Sequence, residues 1–162
     1  MDKAPWWRGT RGEWYVVAQA VLFVLIGVGP RTLPGLPTWA PPWTTIGTWL
    51  GLALMLPGAA LSIGGVLKLG KNLTPLPYPK DNSELVEQGP YAIVRHPIYG
   101  GLILGAFGWG LYLHAWVTLG FAALLFVLFD IKSRREERWL IERFPEYSEY
   151  CRRVKKLLPW VY

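Results

Sequence analysis

The sequence predicts an all-α integral membrane protein of about four transmembrane helices, and three observations predict it. First, 52% of the 162 residues are hydrophobic and only 17% are charged. That is too apolar and too charge-poor for an ordinary soluble domain or a disordered chain. Second, four apolar stretches recur along the chain. Third, the basic residues are distributed unevenly around those stretches. The length predicts one domain over 1–162. A single cysteine, Cys151, excludes a disulfide framework and a multi-cysteine metal centre. No metal site and no nucleic-acid partner are expected.

The first expected span covers 14–29. It ends in Gly27-Val28-Gly29-Pro30 rather than a small-residue cleavage pattern, so it does not read as a signal peptide. The second covers 45–69 and contains Pro57, where a kink is expected. The third and fourth lie inside Ile98–Phe129, which holds no Asp, Glu, Lys or Arg. As one helix that stretch would be about 48 Å long, against a bilayer core of about 30 Å. A hairpin turning near Tyr112–Trp116 is therefore expected, with spans over 98–113 and 115–131. Gly101, Gly105 and Gly108 share one face of the third span, a pattern for close helix packing or for a ligand at the backbone. Trp6, Trp7, Trp14, Trp39, Trp43, Trp109, Tyr112 and Trp116 flank the spans as interfacial aromatics. His114 is expected at the hairpin turn.

Orientation follows from charge. Arg31 alone lies between the first and second spans, and no basic residue lies in the hairpin turn. Placing both termini in the cytoplasm puts sixteen of the seventeen Lys and Arg inside, including Lys3, Arg8 and Arg11 before the first span. The positive-inside rule favours that arrangement, in a cell inner or plasma membrane.

Two cytoplasmic segments carry the chemistry. In 70–97, Pro75, Pro77 and Pro79 favour extended chain over Lys71–Lys80. Asp81–Gln88 follows, and Gln88-Gly89-Pro90 is a turn signal. A 28-residue connection is long enough to read as functional. It ends in Arg95-His96-Pro97, with Pro97 suited to the first turn of the next helix. Arg95 and His96 beside a helix N-terminus suit an anion such as a carboxylate, or else a snorkelling Arg and a capping His. In 132–158, a helix carrying Lys132, Arg134, Arg135, Glu136, Glu137 and Arg138 is expected to continue out of the fourth span. Beyond Pro145, Tyr147, Tyr150, Val154 and Leu157 fall at helical spacing. That predicts a basic amphipathic helix lying on an anionic leaflet.

The run Leu85-Val86, Gly89-Pro90-Tyr91, Arg95-His96-Pro97, Tyr99 and Gly101, then an apolar hairpin, then Glu136-Glu137, Leu140 and Phe144-Pro145-Glu146-Tyr147 with Tyr150, resembles the isoprenylcysteine carboxyl methyltransferase family. Its prokaryotic members and the membrane phospholipid N-methyltransferases share the pattern, which covers about 70–160. The resemblance implies an S-adenosyl-L-methionine-dependent methyltransferase with a cytoplasm-facing cofactor loop. It implies cofactor contacts at Ser83, Glu84, Leu85, Val86, Tyr91, His96, Pro97, Ile98, Tyr99 and Glu136. Lys132 stands where the family usually has Arg, a substrate or catalytic contact; it keeps the charge and loses the bidentate fork. Arg95 and Glu137 join Lys132 as catalytic candidates, Glu137 as a base should the acceptor be an amine.

The implied reaction is methyl transfer to a lipid or lipid-linked amphiphilic acceptor reached through the bilayer. A carboxylate is the first expectation and a phospholipid or other amine the alternative. A sterol-reductase-like enzyme using a nicotinamide dinucleotide and a non-catalytic membrane module are competing readings.

Overall fold

The computed structural model describes residues 8–79, 82–159 and 161–162. The readings of Lys3, Trp6, Trp7, Lys80 and Asp81 lie outside the described residues. The described chain is all-helical: α1 (Glu13–Val28), α2 (Trp43–Leu69), α3 (Pro97–Tyr112), α4 (Trp116–Arg143) and α5 (Tyr147–Arg153).

Helix boundaries follow local chemistry. Pro97 opens α3 with its fixed φ and no N–H to satisfy. After α3, His114 adopts a φ of 55°, and the Ala115 N–H closes the reversal on the Gly110 carbonyl at 2.9 Å. His114 Nε2 lies 2.7 Å from the Thr44 carbonyl, tying the turn to α2. Its ring packs on Trp39, which in turn packs on Trp116. α4 stops at Arg143 because Phe144 precedes Pro145 and is extended. α2 runs unbroken through Pro57.

α2 and α3 meet along a glycine seam. Gly51, Gly58 and Gly65 recur at seven-residue steps on α2 and are buried. A Cβ on Gly58 would lie 2.7 Å from the Gly101 carbonyl oxygen, and one on Gly51 would lie 2.6 Å from that of Gly108. Backbones therefore touch where any side chain would part them. Close packing accounts for Gly101 and Gly108. Gly105 is different: a Cβ there would meet nothing within 4 Å. A buried cluster of Ile103, Ala106, Ala122, Leu125, Phe129 and Leu157 joins α3, α4 and the C-terminal segment.

The outer surface is apolar. Val17, Val21, Val24 and Val28 on α1, Leu56, Ile63 and Leu67 on α2, and Leu124, Val127 and Ile131 on α4 are exposed. α2 and α4 are long and apolar enough to cross a membrane. This is the surface of an integral membrane protein.

The C-terminal segment departs from expectation. α5 ends at Arg153, and the chain then runs extended beside Val94. The Arg95 N–H donates to the Lys155 carbonyl at 2.8 Å and the His96 N–H to that of Lys156 at 3.0 Å. Tyr147, Tyr150 and Leu157 are buried within the protein. The expected amphipathic helix lying on the leaflet is thus replaced by a short helix and a strap whose apolar side faces inward. The physical reason is that the amides entering α3 need acceptors, and the strap supplies them.

Candidate functional site

A cavity of about 290 Å³ opens between the extended loop, the start of α3, the C-terminal half of α4 and α5. Its loop wall is held locally. The Asn72 side-chain amide donates to the Glu84 carbonyl at 3.1 Å, and its oxygen accepts the Glu84 N–H at 3.4 Å. This amide stands in for a strand partner and holds the 83–86 strip over the cavity. Gly89, with a φ of 64°, turns the chain into a short 3₁₀ segment, Gly89–Ala92, that buries Tyr91. The Tyr150 hydroxyl donates to the Tyr91 carbonyl at 2.6 Å, fastening α5 to that turn.

Where Pro97 starts α3, the rings stack. His96 lies on Tyr99 with centroids 5.5 Å apart and planes 6° apart, and Tyr99 lies on Phe129 at 4.7 Å. The Tyr99 hydroxyl donates to Glu136 Oε2 at 2.9 Å, and His96 Nδ1 stands 3.9 Å from the same oxygen. His96 occupies the N-cap position of α3, but its side chain makes no capping bond. Its Nε2 lies 3.1 Å from Glu137 Oε1 instead.

The two adjacent carboxylates point to different places, as residues about 100° apart on a helix must. Glu136 lines the cavity. Glu137 faces away from it and receives Arg95 Nε at 2.8 Å. Burial alone would raise the Glu137 carboxyl, but the hydrogen bonds from His96 and Arg95 bring it down to about 2. Burial works against the Arg95 charge as well; the Glu137 hydrogen bond outweighs it and holds the guanidinium above its usual range. For Glu136, burial wins over His96 and the Tyr99 hydroxyl, and the carboxyl is raised. Burial likewise pushes the Tyr91 and Tyr147 phenols up.

The sequence-derived site residues divide accordingly. Ser83, Glu84, Leu85, Val86, Tyr91, Arg95, His96, Ile98, Tyr99, Lys132 and Glu136 share the cavity wall. Two do not. Pro97 is buried against Gly65, and Glu137 belongs to the Arg95 pair. The two cations are also committed elsewhere than expected. Arg95, which the sequence offers either to an external anion or to the membrane surface, donates instead to Glu137 and to the Cys151 and Val154 carbonyls. Lys132 is 1% exposed; its Nζ donates to Gln19 Oε1 at 2.8 Å and to the Pro75 carbonyl at 2.9 Å, 4.9 Å from the Tyr99 ring centroid.

Sequence reasoning missed Gln19, Asn72, Thr74 and Leu140 as wall residues. It also placed Tyr147 and Tyr150 on a lipid face. Gln19 did carry a signal, an amide inside an apolar span. Two wall hydroxyls, Ser83 Oγ and Tyr147 Oη, are buried without a hydrogen-bond partner among the described residues. Such groups cost free energy unless a partner occupies the space they face.

A family model described as "Phospholipid methyltransferase" matches residues 46–147. The chain is 33% identical over 152 residues to the cobalt-zinc-cadmium resistance protein CzcN of Cupriavidus metallidurans, covering 91% of this chain and 62% of that protein. It is 30% identical over 114 residues to the protein-S-isoprenylcysteine O-methyltransferase of Schizosaccharomyces pombe, covering 68% of this chain and 48% of that one. Among solved structures, the eukaryotic intramembrane Ras methyltransferase ICMT matches with a TM-score of 0.64 at 21% identity, over 99% of this chain and 55% of that chain. At that identity the likeness concerns the fold. The chain spans about three fifths of the length of the first of these relatives and about half that of the others.

Proposed function

The chain belongs to the phospholipid methyltransferase family, and on that premise we propose that it is an S-adenosyl-L-methionine-dependent methyltransferase whose cofactor site is the cavity above. One observation carries the reading. A single cavity wall brings together the Glu136 carboxylate, the hydroxyls of Ser83 and Tyr147, which have no partner among the described residues, and the Tyr91 ring. That donor set fits a ligand with cationic amino and sulfonium groups, polar ribose and carboxylate edges, and a flat adenine. The volume lies near the lower end for small-molecule sites.

In this reading Glu136 pairs with a cationic group of the cofactor. Ser83 and Tyr147 supply the hydrogen bonds that their burial leaves unmade. Leu85 and Val86 close the apolar side and keep water out. The bound cofactor supplies a methyl group activated on a sulfonium. The protein's part is to align an acceptor for in-line displacement, a matter of positioning more than of proton transfer.

The acceptor we propose is a lipid or lipid-linked carboxylate, supported by the isoprenylcysteine relative. A second reading, an amine acceptor, is favoured by one observation: both cations of the cavity wall are already bonded within the protein. Labelled cofactor with membrane extracts separates them, since an ester label is released by base and an N-methyl label is not. We further propose that residues 1–162 act as one domain with four spans in a cell inner membrane, both termini cytoplasmic. The charge asymmetry around α1–α4 supports this.

Calorimetry of the detergent-purified chain with S-adenosylhomocysteine tests the site. Glu136→Gln is expected to lower affinity at least tenfold, about 1.4 kcal/mol, without moving the unfolding midpoint. Unchanged affinity, or tighter binding of a nicotinamide dinucleotide than of S-adenosylhomocysteine, would overturn the reading.

A further inference from the structure

A second concavity lies outside the methyl-transfer cavity, between α4 and the C-terminal strap. It measures about 480 Å³, and among the described residues it shares only Arg95 with the first. Its wall is basic: Arg95, Arg134, Arg152, Arg153, Lys155 and Lys156 line it, with Glu137 as the acid. Internal acids absorb part of that charge. Glu137 takes Arg95, Asp130 takes Arg134 and Lys156, and Glu87 takes Arg153. Six cations thus face three acids. Among the described residues Arg152 and Lys155 have no acidic partner, and both are exposed. The Arg134 and Arg153 pairs are themselves more than half exposed on the Arg side, and such pairs readily share their donors.

The surface below the cleft is apolar. Leu124, Val127 and Ile131 are exposed and follow one another on a single face of α4. Arg134 and Arg138 continue the same face, Arg134 standing one turn, about 4.5 Å, above Ile131. Val161, 74% exposed, adds an apolar edge at the cleft itself. An apolar stripe that turns basic within one helical turn matches an amphiphile with an anionic head.

We propose that this cleft binds the headgroup phosphate of an anionic phospholipid, with its acyl chains along the Leu124–Ile131 stripe. The lipid is held there and not methylated, because the cleft is separate from the cavity. The proposal does not depend on which acceptor the cavity serves. The apolar stripe selects a lipid over a soluble phosphate, and the uncompensated charge selects an anionic lipid over a zwitterionic one.

Thermal unfolding of the full chain in a mild detergent tests it, with phosphatidylglycerol, phosphatidylcholine of the same acyl chains, or glycerol 3-phosphate added. Phosphatidylglycerol is expected to raise the midpoint beyond phosphatidylcholine, and glycerol 3-phosphate to leave it unmoved. The double substitution Arg152→Gln with Lys155→Gln, at exposed positions, is expected to remove at least half of the difference between the two lipids. Arg152→Glu with Lys155→Glu should remove it entirely. Equal shifts with both lipids, an equal shift with glycerol 3-phosphate, or a difference that survives the neutral double variant would overturn the proposal.

Discussion

Replacing Glu137 by Gln should cost stability and spare the cofactor. The Glu137 carboxylate accepts Arg95 at 2.8 Å and lies 3.1 Å from His96 Nε2, with the three side chains 14%, 11% and 5% exposed. These contacts bring its carboxyl from the ordinary 4.5 to about 2, a drop worth roughly 3 kcal/mol. Independently, removing one partner of a buried ion pair costs about 3–5 kcal/mol. Arg95 keeps the Cys151 and Val154 carbonyls in the variant, which puts the expectation at the lower end, about 3 kcal/mol. Because the folded value lies below the unfolded one, this stability is complete above pH 4.5 and is lost as pH falls toward about 2. Unfolding of the purified chain followed from pH 7 down to about 3 should show the wild type weakening below about pH 4.5. The Gln variant should be less stable at neutral pH and flatter across the acid range. A variant within about 0.5 kcal/mol of wild type, the scale of an ordinary surface change, would refute the reasoning, as would an equally steep acid limb.

Three further expectations accompany it. His96→Ala should lower S-adenosylhomocysteine affinity tenfold or more, about 1.4 kcal/mol, while the helices persist; loss of stability with affinity intact would make His96 purely structural. Gly58→Ala should destabilise by about 1–3 kcal/mol through overpacking, its Cβ lying 2.7 Å from the Gly101 carbonyl, whereas Gly105→Ala, with open space around it, should be tolerated; thermal unfolding of the pair decides, and equal effects would discount the seam. Single cysteines at Thr38 and Ser148, in a chain with Cys151→Ser, should label from opposite sides of the membrane; labelling from one side would exclude the proposed topology.

The helices were legible because their signals are local. Apolar runs, Pro97 at a helix start and Pro145 beyond a helix end give bounds close to those observed. That Glu136 and Glu137 point different ways follows from helical geometry, but the pairing of Glu137 with Arg95 could not be read from the sequence. What escaped was set by distant partners. Tyr147, Tyr150, Val154 and Leu157 have helical spacing, yet the strap is extended after Arg153 because the amides of Arg95 and His96 recruit it. Lys132 looked free to serve a substrate, but its partners lie on α1 and in the loop. The seam glycines of α2 were overlooked because a seven-residue repeat of small residues leaves no hydrophobic signature. The 83–86 strip of the cavity wall was named only through family resemblance, since nothing in its composition marks it.

The way α5 and the strap close the cavity has a consequence for biosynthesis. Gln19 and Lys132 are 113 positions apart, and Tyr150 fastens onto the Tyr91 turn across 59. Chain emerging from the ribosome can complete α1, α2 and the α3–α4 hairpin while one wall of the cavity is still missing. Only when residues 147–157 arrive do the Arg95 and His96 amides find their carbonyls and the cavity gain its last wall. The cavity is therefore assembled after translation has passed α1 to α4. A nascent chain halted before Tyr147 has α1 to α4 and lacks the wall that α5 and the strap supply.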